Sequence, residues 1–111
     1  MNKDGLTIDE YGTKRWYLND KYHRTDGPAI EYINGDKHWF LNGKRHRTDG
    51  PAIEYYNGTK YWYLNDKIHR TDGPAIEYPD GTKCWYLNDI ELSQEEYLRT
   101  TRKNKLKLLG L

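Results

Sequence analysis

The chain of 111 residues has little of what most folds and most enzymes rely on. Its single cysteine, Cys84, excludes an intrachain disulfide and any zinc site built on paired cysteines, and reducing surroundings fit it best. No apolar run approaches the length of a membrane span, and Met1-Asn2-Lys3-Asp4-Gly5 lacks the apolar stretch of a signal peptide. The expectation is a soluble cytoplasmic protein with no membrane contact. Charge of neither sign prevails: 18 Lys and Arg against 17 Asp and Glu leave a net charge of +1, which argues against a duplex-DNA coat or a membrane-bound polycation. No serine or cysteine nucleophile accompanies a histidine motif, and no glycine-rich turn opens a helix after a strand. A non-enzyme with no cofactor and no metal is expected.

Aliphatic residues are also scarce, whereas there are 11 Tyr and 4 Trp. Large rings with a polar edge tolerate partial hydration, so this composition suits an open sheet better than a thick core. The length corresponds to one domain.

What is abundant is repetition. Asp26-Gly27-Pro28-Ala29-Ile30-Glu31-Tyr32 recurs as Asp49 to Tyr55 and as Asp72 to Tyr78, and Trp16, Trp39, Trp62 and Trp85 follow one another at intervals of 23 residues. A fixed period of this size marks units that cannot bury an apolar face alone and must stack on their neighbours. Asn34-Gly35, Asn42-Gly43, Asn57-Gly58 and Asp80-Gly81 read as type I′ hairpin turns, with Asn19-Asp20, Asn65-Asp66 and Asn88-Asp89 as weaker versions. The connection His46-Arg47-Thr48-Asp49-Gly50-Pro51 ends in a proline that cannot extend a ladder. The predicted fold is mainly β: a single-layer antiparallel meander of 23-residue β-hairpin repeats with a C-terminal capping α-helix. Residues 1–12 form a degenerate N-terminal cap strand, 13–91 the hairpin repeats and 92–111 the helical end. There, Ser93-Gln94-Glu95-Glu96 spells a capping box and predicts a helix from about Gln94 to Leu109, folded over the last sheet edge through Leu92, Tyr97 and Leu98.

Period-2 alternation puts Lys14, Trp16 and Leu18 on one face and Arg15, Tyr17 and Asn19 on the other. The tryptophan face is expected to be buried, with rings roughly 9–10 Å apart and Ile30, Ile53, Ile76 or nearby tyrosines between them. His23, His46 and His69 each precede an aspartate by three residues, Asp26, Asp49 and Asp72. Metal ligands must lie about 2 Å from the ion, while equivalent positions of successive hairpins are about 9–10 Å apart. The motif therefore reads as a hydrogen-bonded corner, with the imidazole on backbone groups of its turn and the aspartate capping amides before Gly-Pro. Cys84 reads as an inert strand residue.

Positions identical in every unit serve the shared fold, and those that differ are candidates for contact: Arg15/His38/Tyr61/Cys84, Tyr22/Arg45/Ile68 and Ile33/Tyr56/Pro79. The first row shares a face with Tyr17, Phe40, Tyr63 and Tyr86. Arg15, Tyr17, His38, Phe40, Tyr61, Tyr63 and Tyr86 thus form the candidate partner-binding surface, aromatics beside Arg and His. The alternative is that these rings pack on one another or on a second copy of the sheet. Arg99 to Lys107 carries five positive charges and no acid, so Arg102, Lys103 and Lys105 form a second candidate patch, for an acidic protein surface or a nucleic acid, against the plainer reading of a solvated helix end.

Trp39-Phe40-Leu41-Asn42-Gly43-Lys44-Arg45-His46, followed by a Gly and then Tyr56-Asn57-Gly58, resembles the MORN repeat over about residues 13 to 91. The unit departs from the usual pattern in that Arg47-Thr48-Asp49 separates His46 from its glycine. The whole chain is more similar to the small MORN-variant proteins of bacteriophages and large viruses, which repeat His-Arg-x-Asp-Gly-Pro-Ala and finish in a Glu-rich helix. That resemblance implies an interaction scaffold in the host cytoplasm whose partner is a host protein, for instance an anti-CRISPR-like inhibitor of bacterial defence. Nucleotide or single-stranded nucleic-acid binding on the aromatic rows, and self-assembly as a homo-oligomer, are the other readings.

Overall fold

Two kinds of turn build each unit, and they are assigned differently from the sequence expectation. Asn19-Asp20, Asn42-Gly43, Asn65-Asp66 and Asn88-Asp89 have both residues at positive φ, as a type I′ turn requires. In Asn34-Gly35 only the glycine is left-handed, at φ 100°, and Gly35 N–H donates to Tyr32 O while Tyr32 N–H donates to Asp36 O. That is a type I turn closed by a glycine bulge, and the turns at Gly58 and Gly81 repeat it. The Asn-Asp pairs, expected to be weak imitations, are the true two-residue turns.

The computed structural model describes residues 3–111, so Met1 and Asn2 of the expected cap lie outside the described residues. The strands are β1 (Gly5–Ile8), β2 (Lys14–Leu18), β3 (Lys21–Tyr22), β4 (Ile30–Glu31), β5 (Lys37–His38), β6 (Phe40–Leu41), β7 (Lys44–Arg45), β8 (Ile53–Glu54), β9 (Lys60–Tyr61), β10 (Tyr63–Leu64), β11 (Lys67–Ile68), β12 (Ile76–Glu77), β13 (Lys83–Leu87) and β14 (Ile90–Leu92), followed by α1 (Gln94–Leu108). The main sheet runs β1-β2-β4-β5-β8-β9-β12-β13-β14 with β3 also on β2, while β6–β7 and β10–β11 form two-stranded ribbons beside it. The fold is thus the antiparallel hairpin meander with a capping helix. Each tryptophan is the point where one strand changes partners. Trp39 N–H donates to Ala52 O of the next unit at 2.7 Å, and Trp39 O accepts from His46 N–H of its own unit at 3.1 Å. The molecule measures 52 × 34 × 20 Å with a radius of gyration of 16.3 Å, against about 13 Å for a compact domain of this length. It is one sheet thick.

The register overturns the expected placement of the isoleucines. Ile30 lies opposite Arg15 and His38, Ile53 opposite His38 and Tyr61, and Ile76 opposite Tyr61 and Cys84. Residues directly opposite share a face, so the isoleucines lie among the tyrosines and not between the tryptophans. Ile30, Ile53 and Ile76 are 4–5% exposed, and Tyr63 joins Ala52 and Ile53 in the core cluster. Each such isoleucine contributes about 2 kcal/mol by leaving water. The tryptophans are only half-buried. What covers them is arginine: Arg24, Arg47 and Arg70 lie 3.8–3.9 Å from the ring centroids of Trp16, Trp39 and Trp62.

The arginine also explains the glycine of Gly-Pro. A Cβ on Gly50 would sit 2.9 Å from the Arg47 Cζ, so the guanidinium can sit over the tryptophan only where the turn has no side chain. Arg47 then donates from Nε to Asp49 at 2.9 Å and from Nη1 to Pro51 O at 3.1 Å and Glu54 at 2.7 Å.

At the C-terminal end both bonds of the capping box form, and Tyr97 is 2% exposed, its hydroxyl donating to Arg70 O at 2.6 Å and accepting from Gly73 N–H at 3.2 Å. Leu98, expected to help dock the helix, is 56% exposed, and every residue from Arg102 onward is exposed. One tyrosine therefore anchors a helix whose second half stands clear of the sheet.

Candidate functional site

The turn ridge, the ring-lined face and the tryptophan corners each repeat along the sheet. On the ring-lined face, Tyr32 meets His38 edge-on at 5.4 Å between centroids, His38 meets Tyr55 at 6.0 Å, and Tyr55 meets Tyr61 at 5.9 Å. The neighbouring Tyr61 hydroxyl pushes the Tyr78 phenol up to about 12. A second line runs alongside: Tyr17 on Tyr22 and Tyr22 on Phe40, both at 5.2 Å, then Arg45 over Tyr63 at 4.2 Å. The lines touch through His38–Phe40 at 6.5 Å and Tyr61–Tyr63 at 6.3 Å, both pairs nearly parallel.

Of the residues singled out from sequence, Arg15, Tyr17, His38, Phe40, Tyr61 and Tyr86 are half-buried on this face, and Tyr63 is buried at 7% exposure. The packing of rings on one another therefore consumes much of the row. Arg15 is not free either: its Nη1 lies 2.7 Å from Asp9, which holds the Asp9 carboxyl below the usual range. Asp9 precedes Arg15 by the same six residues that separate Tyr32 from His38, so an ion pair closes the N-terminal end of the ring row. At the other end burial and the nearby Glu91 push the Cys84 thiol up, which leaves it a poor nucleophile. Burial also lowers the His38 pKa.

Outside the C-terminal leucines Leu108, Leu109 and Leu111, the most exposed apolar side chains lie on the bulged turns. Tyr11, Ile33 and Tyr56 are 72%, 79% and 72% exposed, and Pro79 is exposed in the equivalent place. The later three lean on the preceding turn: the Ile33 Cδ1 is 3.1 Å from where a Gly12 Cβ would be, the Tyr56 Cβ is 3.4 Å from that of Gly35, and the Pro79 Cγ is 3.8 Å from that of Gly58. The turns therefore stack into one continuous ridge. Sequence variation flagged Ile33/Tyr56/Pro79 as a row; in the first turn Glu10 holds the equivalent position, and Tyr11, in the place of Asn34, was missed because Asp9–Gly12 lacks the repeat's spelling. An aromatic directly before a turn glycine was the available signal.

The corners on the tryptophan face are hydrogen-bonded, but between units and not within them. The Nδ1 atoms of His23, His46 and His69 accept from Asn42, Asn65 and Asn88 N–H, each at 3.0 Å and each 19 residues on. Asp26, Asp49 and Asp72, expected to cap backbone amides, pair with Arg24, Arg47 and Arg70 at 2.8–2.9 Å. Successive corners enclose two equivalent clefts of about 520 and about 410 Å³, floored by Trp39 and by Trp62. Arg102, Lys103 and Lys105 are exposed on the free half of α1.

Fold and surface together define a single-layer β-repeat protein whose apolar side chains are set out in lines. No family model, curated protein or solved structure matches the chain. Among the described residues no helix is long and apolar enough to cross a membrane.

Proposed function

We propose that the chain is a non-catalytic, MORN-like interaction protein that binds another protein along the turn ridge and the adjoining ring row. The observation that carries this reading is the ridge itself: Tyr11, Ile33 and Tyr56 stay more than 70% exposed in a molecule that packs its other rings. A contiguous apolar strip along a sheet edge is the kind of feature that interfaces cover, and tyrosine anchors them at little entropic cost. The half-buried His38, Tyr61 and Tyr86 beside it offer polar edges for orientation. The resemblance to viral MORN-variant chains supports a host protein as the partner, a component of bacterial defence among them, blocked by occlusion of its working surface.

Capture from host lysate on immobilised protein tests this. Recovery of a partner near equimolar yield is expected, with Ile33→Asp/Tyr56→Asp lowering recovery at least about tenfold, the loss of two apolar anchors, at unchanged Tm. Equal recovery by the double variant excludes the ridge.

A second reading rests on the free half of α1, where four cations, Arg102, Lys103, Lys105 and Lys107, project with no acid among them. If that helix holds a nucleic acid, affinity falls by orders of magnitude between low and moderate salt, a dependence that aromatic-anchored protein binding lacks.

A further inference from the structure

The two ends of the sheet are finished differently. At the C-terminal end α1 packs on β13 and β14 and is fastened by Tyr97. At the other end β1 is the outermost strand, and no described residue pairs with its outer side. Trp16 N–H donates to Ala29 O at 2.8 Å, away from β1, so Leu6 and Trp16 form a non-hydrogen-bonded pair. The alternation of an antiparallel ladder then turns the N–H and C=O groups of both Leu6 and Ile8 outward. Natural edges are blunted by proline, charge, bulges or a covering element. Gly5-Leu6-Thr7-Ile8 has no proline and no charge, and Leu6 and Ile8 are 49% and 59% exposed.

We propose that β1 is a docking edge for a second copy of this chain, paired antiparallel about a two-fold axis through Thr7. In that register Leu6 of each copy forms a hydrogen-bonded pair with Ile8 of the other, which uses all the outward groups of both residues. Thr7 meets Thr7 of the second copy in the closer, non-hydrogen-bonded pairing, where threonine pairs are favourable. Leu6 and Ile8 lie on one face, so the four aliphatic side chains of the two copies cover one another. The strand is complementary to itself, apolar opposite apolar and hydroxyl opposite hydroxyl, and offers no charge with which to select a foreign strand. A two-fold pairing consumes the β1 edge of both copies at once, so the assembly stops at two and does not grow into a filament.

A single short strand per copy is far smaller than a standard interface of about 1,600 Å², so the dimer is weak, with a Kd on the order of 100 µM. Sedimentation equilibrium between about 5 µM and about 1 mM brackets that value. The mass is expected to climb from 13.3 kDa toward twice that figure and no further. Leu6→Lys/Ile8→Lys, which changes only exposed side chains, remains monomeric at unchanged Tm, and Ile33→Asp/Tyr56→Asp dimerises normally. In the wild type, amide exchange at Leu6 and Ile8 slows several-fold at the high-concentration end. A mass constant across the range overturns the proposal, as do growth beyond two copies, dimerisation of the lysine variant, or exchange at Leu6 and Ile8 that ignores concentration.

Discussion

The tryptophan face and the tyrosine face are two sides of the same strands, yet they solve different problems. On the tryptophan face the residues are the same in every complete unit: an arginine sits over the ring, held by an aspartate two residues on and a glutamate seven on. The tyrosine face accepts Arg, His, Tyr or Cys at one position and Tyr, Arg or Ile at another. Its neighbours adjust, with an Asp9–Arg15 ion pair standing where Tyr32–His38 and Tyr55–Tyr61 make ring contacts. The polar assembly is the less forgiving one, because each of its groups has several geometric obligations. Ring packing asks only for size and a rough shape, so that face can vary while the fold persists.

The largest expected effect follows directly. Arg47 is 21% exposed and serves Trp39, Asp49, Pro51 and Glu54 at once. Arg47→Ala uncovers the ring and strips partners from a carbonyl and two carboxylates, and should cost about 2–4 kcal/mol. Gly50→Ala should do much of the same damage by pushing the guanidinium off its ring. Tyr61→Phe, on the opposite face, removes one hydroxyl but keeps the ring that packs on Tyr55 and Tyr63, and should cost less than about 1 kcal/mol. Urea denaturation of the three variants measures the difference, and equal losses at Arg47 and Tyr61 would remove the distinction between the faces.

These differences also explain what was legible in the sequence. The period fixed the meander, the capping box fixed the start of α1, and Tyr97 was recognised as a packing residue. The choice of buried face was not legible, since alternation tells which residues share a side but not which side is dry. Here the decision rests on the pairing of Ile30 with Arg15 and His38, a contact across 15 and 8 residues that no local pattern encodes. The Arg–Trp stacks were hidden for a related reason: arginine in a loop reads as a solvated charge until the glycine three residues later is seen to make room for it. The histidine corners were half legible. Their bonding was foreseen, but the acceptor serves the next unit and not its own turn.

An intermediate effect is expected with pH, and it reaches both faces. Burial lowers the pKa of His69 at its corner and of His38 among the rings. A histidine whose folded pKa lies below its unfolded value near 6.5 leaves stability intact above that pH. As pH falls from there, the unfolded chain takes up protons that the folded chain refuses, and stability declines until the folded pKa is passed. At His69 the folded form has a second reason to refuse, because Nδ1 is occupied in accepting from Asn88 N–H. Tm should therefore drop between pH 7 and pH 5. The Asp9, Asp26, Asp49, Asp66 and Asp80 carboxyls, all held below 3.8, do not titrate in that window. His69→Asn, whose amide oxygen can replace the Nδ1 acceptor, and His38→Phe should each flatten the slope. A slope unchanged in the double variant would place its origin elsewhere.

The smallest effect concerns the type I′ turns that tie each unit to the one before. Asp66 and Asp89 hold a left-handed conformation that disfavours a side chain, but their carboxylates accept from Arg45 N–H at 3.0 Å and from Ile68 N–H at 2.7 Å. Gly43 occupies the same place without strain and makes only the backbone bond to Tyr22 O, at 2.9 Å. Gly43→Asp would set a Cβ 3.5 Å from the Lys21 side chain, an ordinary contact, and bring a carboxylate to the Tyr22 amide. The added bond contributes about 1 kcal/mol, the left-handed backbone costs about 1–2 kcal/mol, and the stiffer unfolded chain returns about 0.5–1 kcal/mol. The sum lies within about 1 kcal/mol of zero, or a few degrees in Tm. A Tm equal to or above wild type means that the carboxylate offsets the strain and that aspartate at this turn is a link between units. A fall of more than about 5 °C means that strain dominates, and that the aspartates at the other turns are tolerated only because the rings beneath them hold the units together.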